Sequence, residues 1–176
     1  LGSSDLGDGR LVGANVFERR GASQAGSALA DADALEREVE AWRREPPDAD
    51  GHISLRLERL QEEVEALARE RLDVERDRMV TEANATSIER ALLLAGVLAD
   101  SLNAEVASAD EASVAERARE ALGVLRDRQQ VLHERSVAAA QAIAAFDVLD
   151  ARLTAAAEAL TRALAAAAVA LASRRR

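Results

Sequence analysis

The sequence predicts an all-α fold: an elongated antiparallel hairpin of long helices, or a three-helix bundle with coiled-coil-like packing. Three observations predict it. First, apolar residues climb two long ladders of alternating three- and four-residue steps. One holds Leu57, Leu60, Val64, Leu67, Val74, Ala85, Ile88, Leu92, Ala95, Ala99, Leu102 and Val106. The other holds Val114, Ala118, Ala121, Leu125, Leu132, Ala139, Ala142, Phe146, Leu149, Leu153, Ala156, Leu160 and Ala163. A mean step near 3.5 residues lays one apolar stripe along a helix, and a stripe that long is buried against another helix. Second, hydrophobic residues make up 48% of the 176 residues but aromatics only 2%. Alanine and leucine therefore carry the packing, and small side chains suit a long shallow seam. Third, the breaks between periodic stretches are few and short, which makes neighbouring helices antiparallel.

Residues 1–27 hold six of the nine glycines, with Ser3, Ser4, Asp5 and Asp8 among them. Glycine weakens helices and permits turns, so this stretch reads as a flexible leader ahead of a helical domain over 28–176. A first helix is expected over 29–44, with Leu35, Val39 and Trp42 on one face. Pro46 and Pro47 end it, because proline lacks the amide hydrogen and restricts its predecessor. A second helix is expected over 53–107. Its first half is densely charged, from Arg56 to Arg78, and reads as a solvated face supported by pairs such as Glu65 with Arg69. Asn84, Thr86 and Ser87 lower helix propensity and mark 83–87 as a place for a bend. Residues 108–111 form the break, with Asp110 as the expected N-cap of a third helix over 111–172. Gly96 and Gly123 lie at comparable distances from that break, which points to close backbone contact there.

Charge and composition narrow the function. The net charge is −9 and the isoelectric point is near 4.9. Generic nucleic-acid binding needs clustered positive charge, and attraction to anionic lipid needs the same, so neither is expected. All 23 basic residues are arginine, which reads as coding bias because they are scattered among acids. The absence of cysteine removes disulfides, thiolate metal ligands and a cysteine nucleophile. No signal peptide is evident, so a cytoplasmic location is expected. The apolar run Ala163 to Ala172 falls short of the ~20 residues that span a bilayer, and no transmembrane segment is expected.

Chemistry has few places to sit. Arg71, Arg78 and Thr81 interrupt the first ladder, and Arg128 and Arg135 the second. Each arginine should reach a carboxylate such as Asp73, Asp77, Asp127 or Glu134, or extend to solvent. Register control is favoured over an anion site. His52 and His133 have no histidine at i+3 or i+4, and the Glu-x-x-His pattern of di-iron bundles is missing. Gly7, Asp8 and Gly9 lack the strand and helix of a phosphate loop. No catalytic, cofactor-binding or metal-ligating residues are expected, and no cofactor. The expected partners are other helical proteins or a second copy.

From Trp42 to about Ala165 the order of features resembles the toxic-anion (tellurite) resistance family of bacterial helical proteins. The residues that carry the resemblance begin with the charged helix Leu67 to Arg78, followed by Leu93-Leu94-Ala95 with Leu98 and Leu102. After the acidic break come Leu125-Arg126-Asp127-Arg128-Gln129-Gln130 with Leu132, then Gln141 and Phe146-Asp147-Val148-Leu149. Arg152 and Leu153 stand where the family has an asparagine pair. The resemblance implies a non-enzymatic, cytoplasmic helical protein tied to stress resistance, with no catalytic residues to carry over. The alternative from the residues themselves is a coiled-coil scaffold or spacer of cell-division, cytoskeletal or virion tegument type.

Overall fold

A computed structural model describes the backbone over 8–45 and 51–173, and the side chains over 19–45 and 52–173. The fold is all-α. Three helices follow in order: α1 Asp8–Arg44, α2 Gly51–Ser108 and α3 Ala112–Ala172. The chain divides into two units, Leu1–Arg76 with Ala145–Arg176, and Asp77–Ala144.

The first unit is a three-helix bundle of α1, the first part of α2 and the last part of α3. Its core runs through Ala25, Ala28, Ala32, Leu35 and Val39 of α1, Leu60, Leu67 and Val74 of α2, and Phe146, Leu149, Leu153, Ala156, Leu160, Ala163 and Ala167 of α3. Each helix keeps the seven-residue repeat, the pattern that lets facing stripes stay in register over many turns. Leu35, Leu67, Leu153 and Leu160 are the largest fully buried side chains, and alanines fill the space between them.

Here the expected leader is corrected. α1 begins at Asp8, not near residue 29. Gly21 is buried, and a Cβ placed on it would lie 3.0 Å from Leu149 Cδ1. Glycine costs a helix ~1 kcal/mol relative to alanine, but here it lets α1 and α3 approach closely, and Ala25 and Ala28 continue the contact face. Residues 1–7 and the expected proline turn at 46–50 lie outside the described residues.

The second unit is a two-helix hairpin, α2 from Asp77 against α3 up to Ala144. Ala95, Ala115, Ala118 and Leu122 are buried, and Ile88, Leu92, Ala99, Leu102, Leu125 and Leu132 are half-buried. α2 runs unbroken through 83–87. Thr81, Thr86 and Ser87 donate their hydroxyls to the carbonyls four residues back, at 2.8, 3.0 and 3.0 Å, and so stay compatible with a helix. Glu111, not Asp110, caps α3, because its carbonyl accepts the amides of Val114 and Ala115 at 3.1 and 3.3 Å. Gly96 and Gly123 make no close contact: nothing lies within 4 Å of a Cβ built on either.

Candidate functional site

The polar positions of the three-helix unit come first. Arg71 donates from Nε to Asp150 Oδ1 at 2.8 Å, joining α2 to α3. Its partner is none of the four carboxylates expected from the sequence. Arg56 likewise bonds Glu38, joining α2 to α1. Both guanidinium groups are held above their ordinary pKa, first by the hydrogen bond to the carboxylate, against the opposing effect of burial. The Arg71 and Asp150 side chains are 42% and 43% exposed. Such pairs contribute about 0.2–1 kcal/mol, so they fix register more than they stabilise.

Two carboxylates depart from the expected solvated face. Burial pushes the Glu63 carboxyl above its ordinary range, the nearby Asp31 adds to the shift, and Arg59 opposes it. Glu70 is only 8% exposed, and its Oε1 has no hydrogen-bond partner among the described residues. Leaving a buried polar atom unsatisfied costs about 1–3 kcal/mol.

The remaining sequence candidates do not converge. Arg78 is half-buried and pairs with Glu82 at 3.0 Å. Arg128 and Arg135 are exposed, and Gln129 and Ser136 take the half-buried positions next to them. The alternate steps of the second ladder therefore move on by one residue here, with Leu122 buried and Ala121 exposed, while Val114, Ala118, Leu125 and Leu132 hold their expected places. His52 and His133 are exposed and lie on different helices. Among the described residues no three His, Asp or Glu side chains come together as a metal-binding group.

Two surfaces were not foreseen. A groove of about 620 Å³ lies between the end of α1 and the end of α3, lined by Val39, Trp42, Arg43, Ala165, Val169 and Ala170. Val39 is its most buried lining residue, Trp42 is half-buried and Arg43 is exposed. Arg43 is held to Glu40 at 2.8 Å. The second surface is on the hairpin unit. From Ala91 to Ala99 there are nine consecutive uncharged residues, apolar all the way round α2. Leu92, Ala95 and Ala99 turn to α3. On the opposite side Leu93, Leu94, Val97 and Leu98 are 73%, 66%, 66% and 56% exposed. A helix that is apolar on every side is normally buried on every side. This one is covered on one.

By length and composition alone, α2 and α3 also each contain a stretch apolar enough to cross a membrane. That stretch of α3 forms part of the three-helix core, and the one in α2 coincides with the uncovered face. No family model matches the chain, and no curated protein or solved structure matches it.

Proposed function

We propose that this chain is a non-catalytic helical protein that acts through helix-mediated association. The exposed apolar side of α2 at Leu93, Leu94, Val97 and Leu98 carries the reading. An enzyme concentrates polar and titratable groups in a cleft. Here the polar groups are scattered as register pairs, and the largest uncompensated feature is an apolar helix face. The three-helix unit serves as the scaffold and the hairpin unit presents the docking face. Partners are helical proteins or another copy of the chain. Nucleic acid is not among them, given the charge of −9.

The same reading treats 91–99 as a protein-docking face in a cytoplasmic protein and not as a membrane span. Asp100 and Glu105 would fall inside the stretch of α2 that a span would use, and charges inside a bilayer are costly. The resemblance to the toxic-anion resistance family supplies the setting, resistance to tellurite and related stresses. The test is survival on tellurite of the source organism lacking the gene, complemented with the wild type or with Leu93→Asp. The expected result is rescue by the wild type and loss of rescue by Leu93→Asp at equal protein level. If deletion leaves survival unchanged, the stress setting is wrong and the scaffold reading stands. If Leu93→Asp rescues fully, the face is not the working surface.

A further inference from the structure

We infer that the exposed face of α2 pairs with the same face of a second copy, antiparallel, about a two-fold axis between Ala95 and Gly96. This rests on the association reading above and names the partner of that surface.

The arrangement of the face is self-complementary. Leu93, Leu94, Val97 and Leu98 lie symmetrically about the midpoint between residues 95 and 96. A two-fold axis there brings Leu93 over Val97 of the second copy and Leu94 over Leu98, so apolar surface meets apolar surface on both sides. Two-fold interfaces require such a patch, in which residue i contacts j and j contacts i.

Charge selects the direction. On the outward side of α2, Arg90 stands before the apolar block and Glu105 after it, with Glu89 and Asp100 both at the margin of that side. No basic residue occurs between Arg90 and Arg117. An antiparallel pair places Arg90 of each copy level with Ser101 of the other, within a turn of Asp100 and Glu105. A parallel pair would bring Arg90 against Arg90 and the acids against the acids, and like charges across an interface favour a different partner or register.

The size of the contact sets its strength. The overlapping stretch, 83–108, is about 39 Å long and about 10 Å wide. It would bury on the order of 800 Å² in total from α2 alone, the range of weak, reversible associations. A dissociation constant between about 1 μM and 1 mM is expected.

The chain has no cysteine, so cross-linking reads the geometry directly. Thr86 and Ala104 are exposed and would face each other across the axis, whereas the two copies of Thr86 would be about 28 Å apart. Full-length Thr86→Cys chains mixed with Ala104→Cys chains should form mixed disulfide dimers under mild oxidation, and neither variant should cross-link with itself. Sedimentation equilibrium should show a monomer–dimer equilibrium for the wild type, weakened more than about 100-fold by Leu94→Glu, which buries two unpaired carboxylates. Arg90→Glu should weaken it as well, and adding Glu105→Arg should restore it.

Self-cross-linking of Thr86→Cys in place of the mixed product would overturn the antiparallel arrangement. A wild type that stays monomeric to about 1 mM would overturn self-pairing while leaving association with other helices to the survival test. A monomer that binds phosphatidylglycerol vesicles through this face would overturn both readings. Unchanged helicity of Leu94→Glu by circular dichroism separates loss of pairing from loss of folding.

Discussion

Replacing Leu67 by alanine should cost far more stability than the same change at Leu93, although the two leucines lie on one helix. Leu67 is 0% exposed in the three-helix core, one turn from the Arg71–Asp150 pair. Losing three buried carbons at ~0.8 kcal/mol each removes about 2.4 kcal/mol of transfer free energy. The surrounding leucines and alanines belong to three helices in a fixed register, so the space closes only in part and a cavity term is added. The total should be about 3 kcal/mol, inside the range seen for buried leucine truncations. Leu93 is 73% exposed, so only about a quarter of its transfer free energy, ~0.6 kcal/mol, is at stake. Alanine's higher helix propensity returns a few tenths of that. The net loss should stay below about 0.5 kcal/mol. Urea unfolding followed by far-ultraviolet circular dichroism, at about 1 μM protein so that association contributes little, measures both changes. Equal losses at the two sites, or a loss under about 1 kcal/mol at Leu67, would refute the packing assigned to the first unit.

Gly96→Ala and Gly123→Ala should each stabilise the fold by about 0.5–1 kcal/mol, because each gains helix propensity in open space; in the same urea assay Gly21→Ala should gain nothing, since its Cβ would press on buried Leu149. Glu63 binds its proton more tightly in the folded chain than in the unfolded one. Its stabilising effect is therefore complete below the unfolded pKa of ~4.3 and lost as pH rises through the higher folded value. Glu63→Gln should raise the melting temperature at pH 7 and make little difference at pH 4, read from paired thermal melts. Glu70→Met should stabilise by about 1–3 kcal/mol by removing an unsatisfied buried oxygen at similar volume. Removal of residues 1–27 should lower the melting temperature, because Gly21 and Ala25 pack in the core; an unchanged melt would return that segment to the role of a leader.

Much of the architecture was legible in the ladders. Every residue named on the first ladder is buried or half-buried, since leucine and valine among charges leave one face to bury. On the second ladder Val114, Ala118, Leu125 and Leu132 are buried or half-buried as expected, and only the intervening steps move on by one residue, to Leu122, Gln129 and Ser136. Alanine occurs there on several faces, so periodicity alone did not choose between Ala121 and Leu122, or between Arg128 and Gln129. Solvation chooses: half-burying an amide or a hydroxyl costs less than half-burying a guanidinium. Helix propensity alone makes α1 too short, because glycine counts against it, although Gly21, Ala25, Ala28, Ala32, Leu35 and Val39 keep the same alternating steps. The Arg71–Asp150 pair has a signal in the sequence spacing. The two residues are equidistant from a turn centred between Asp110 and Glu111, as cross-hairpin partners must be. The exposed face of α2 could also have been found, because the uncharged run Ala91 to Ala99 is apolar all round and a single partner helix covers only one side. Burial of Glu70 follows from spacing alone, three residues after Leu67 and four before Val74, while its charge and the charge run around it argue for solvent.

The most direct test of the association surface is the reaction rate of a single cysteine placed at Leu94, measured with a maleimide across protein concentrations. Glu120→Cys on the exposed side of α3 serves as the reference. If the α2 face pairs with a second copy, the rate at position 94 falls as concentration rises while the rate at position 120 holds constant. Rates at both positions that are independent of concentration up to about 1 mM would contradict the account.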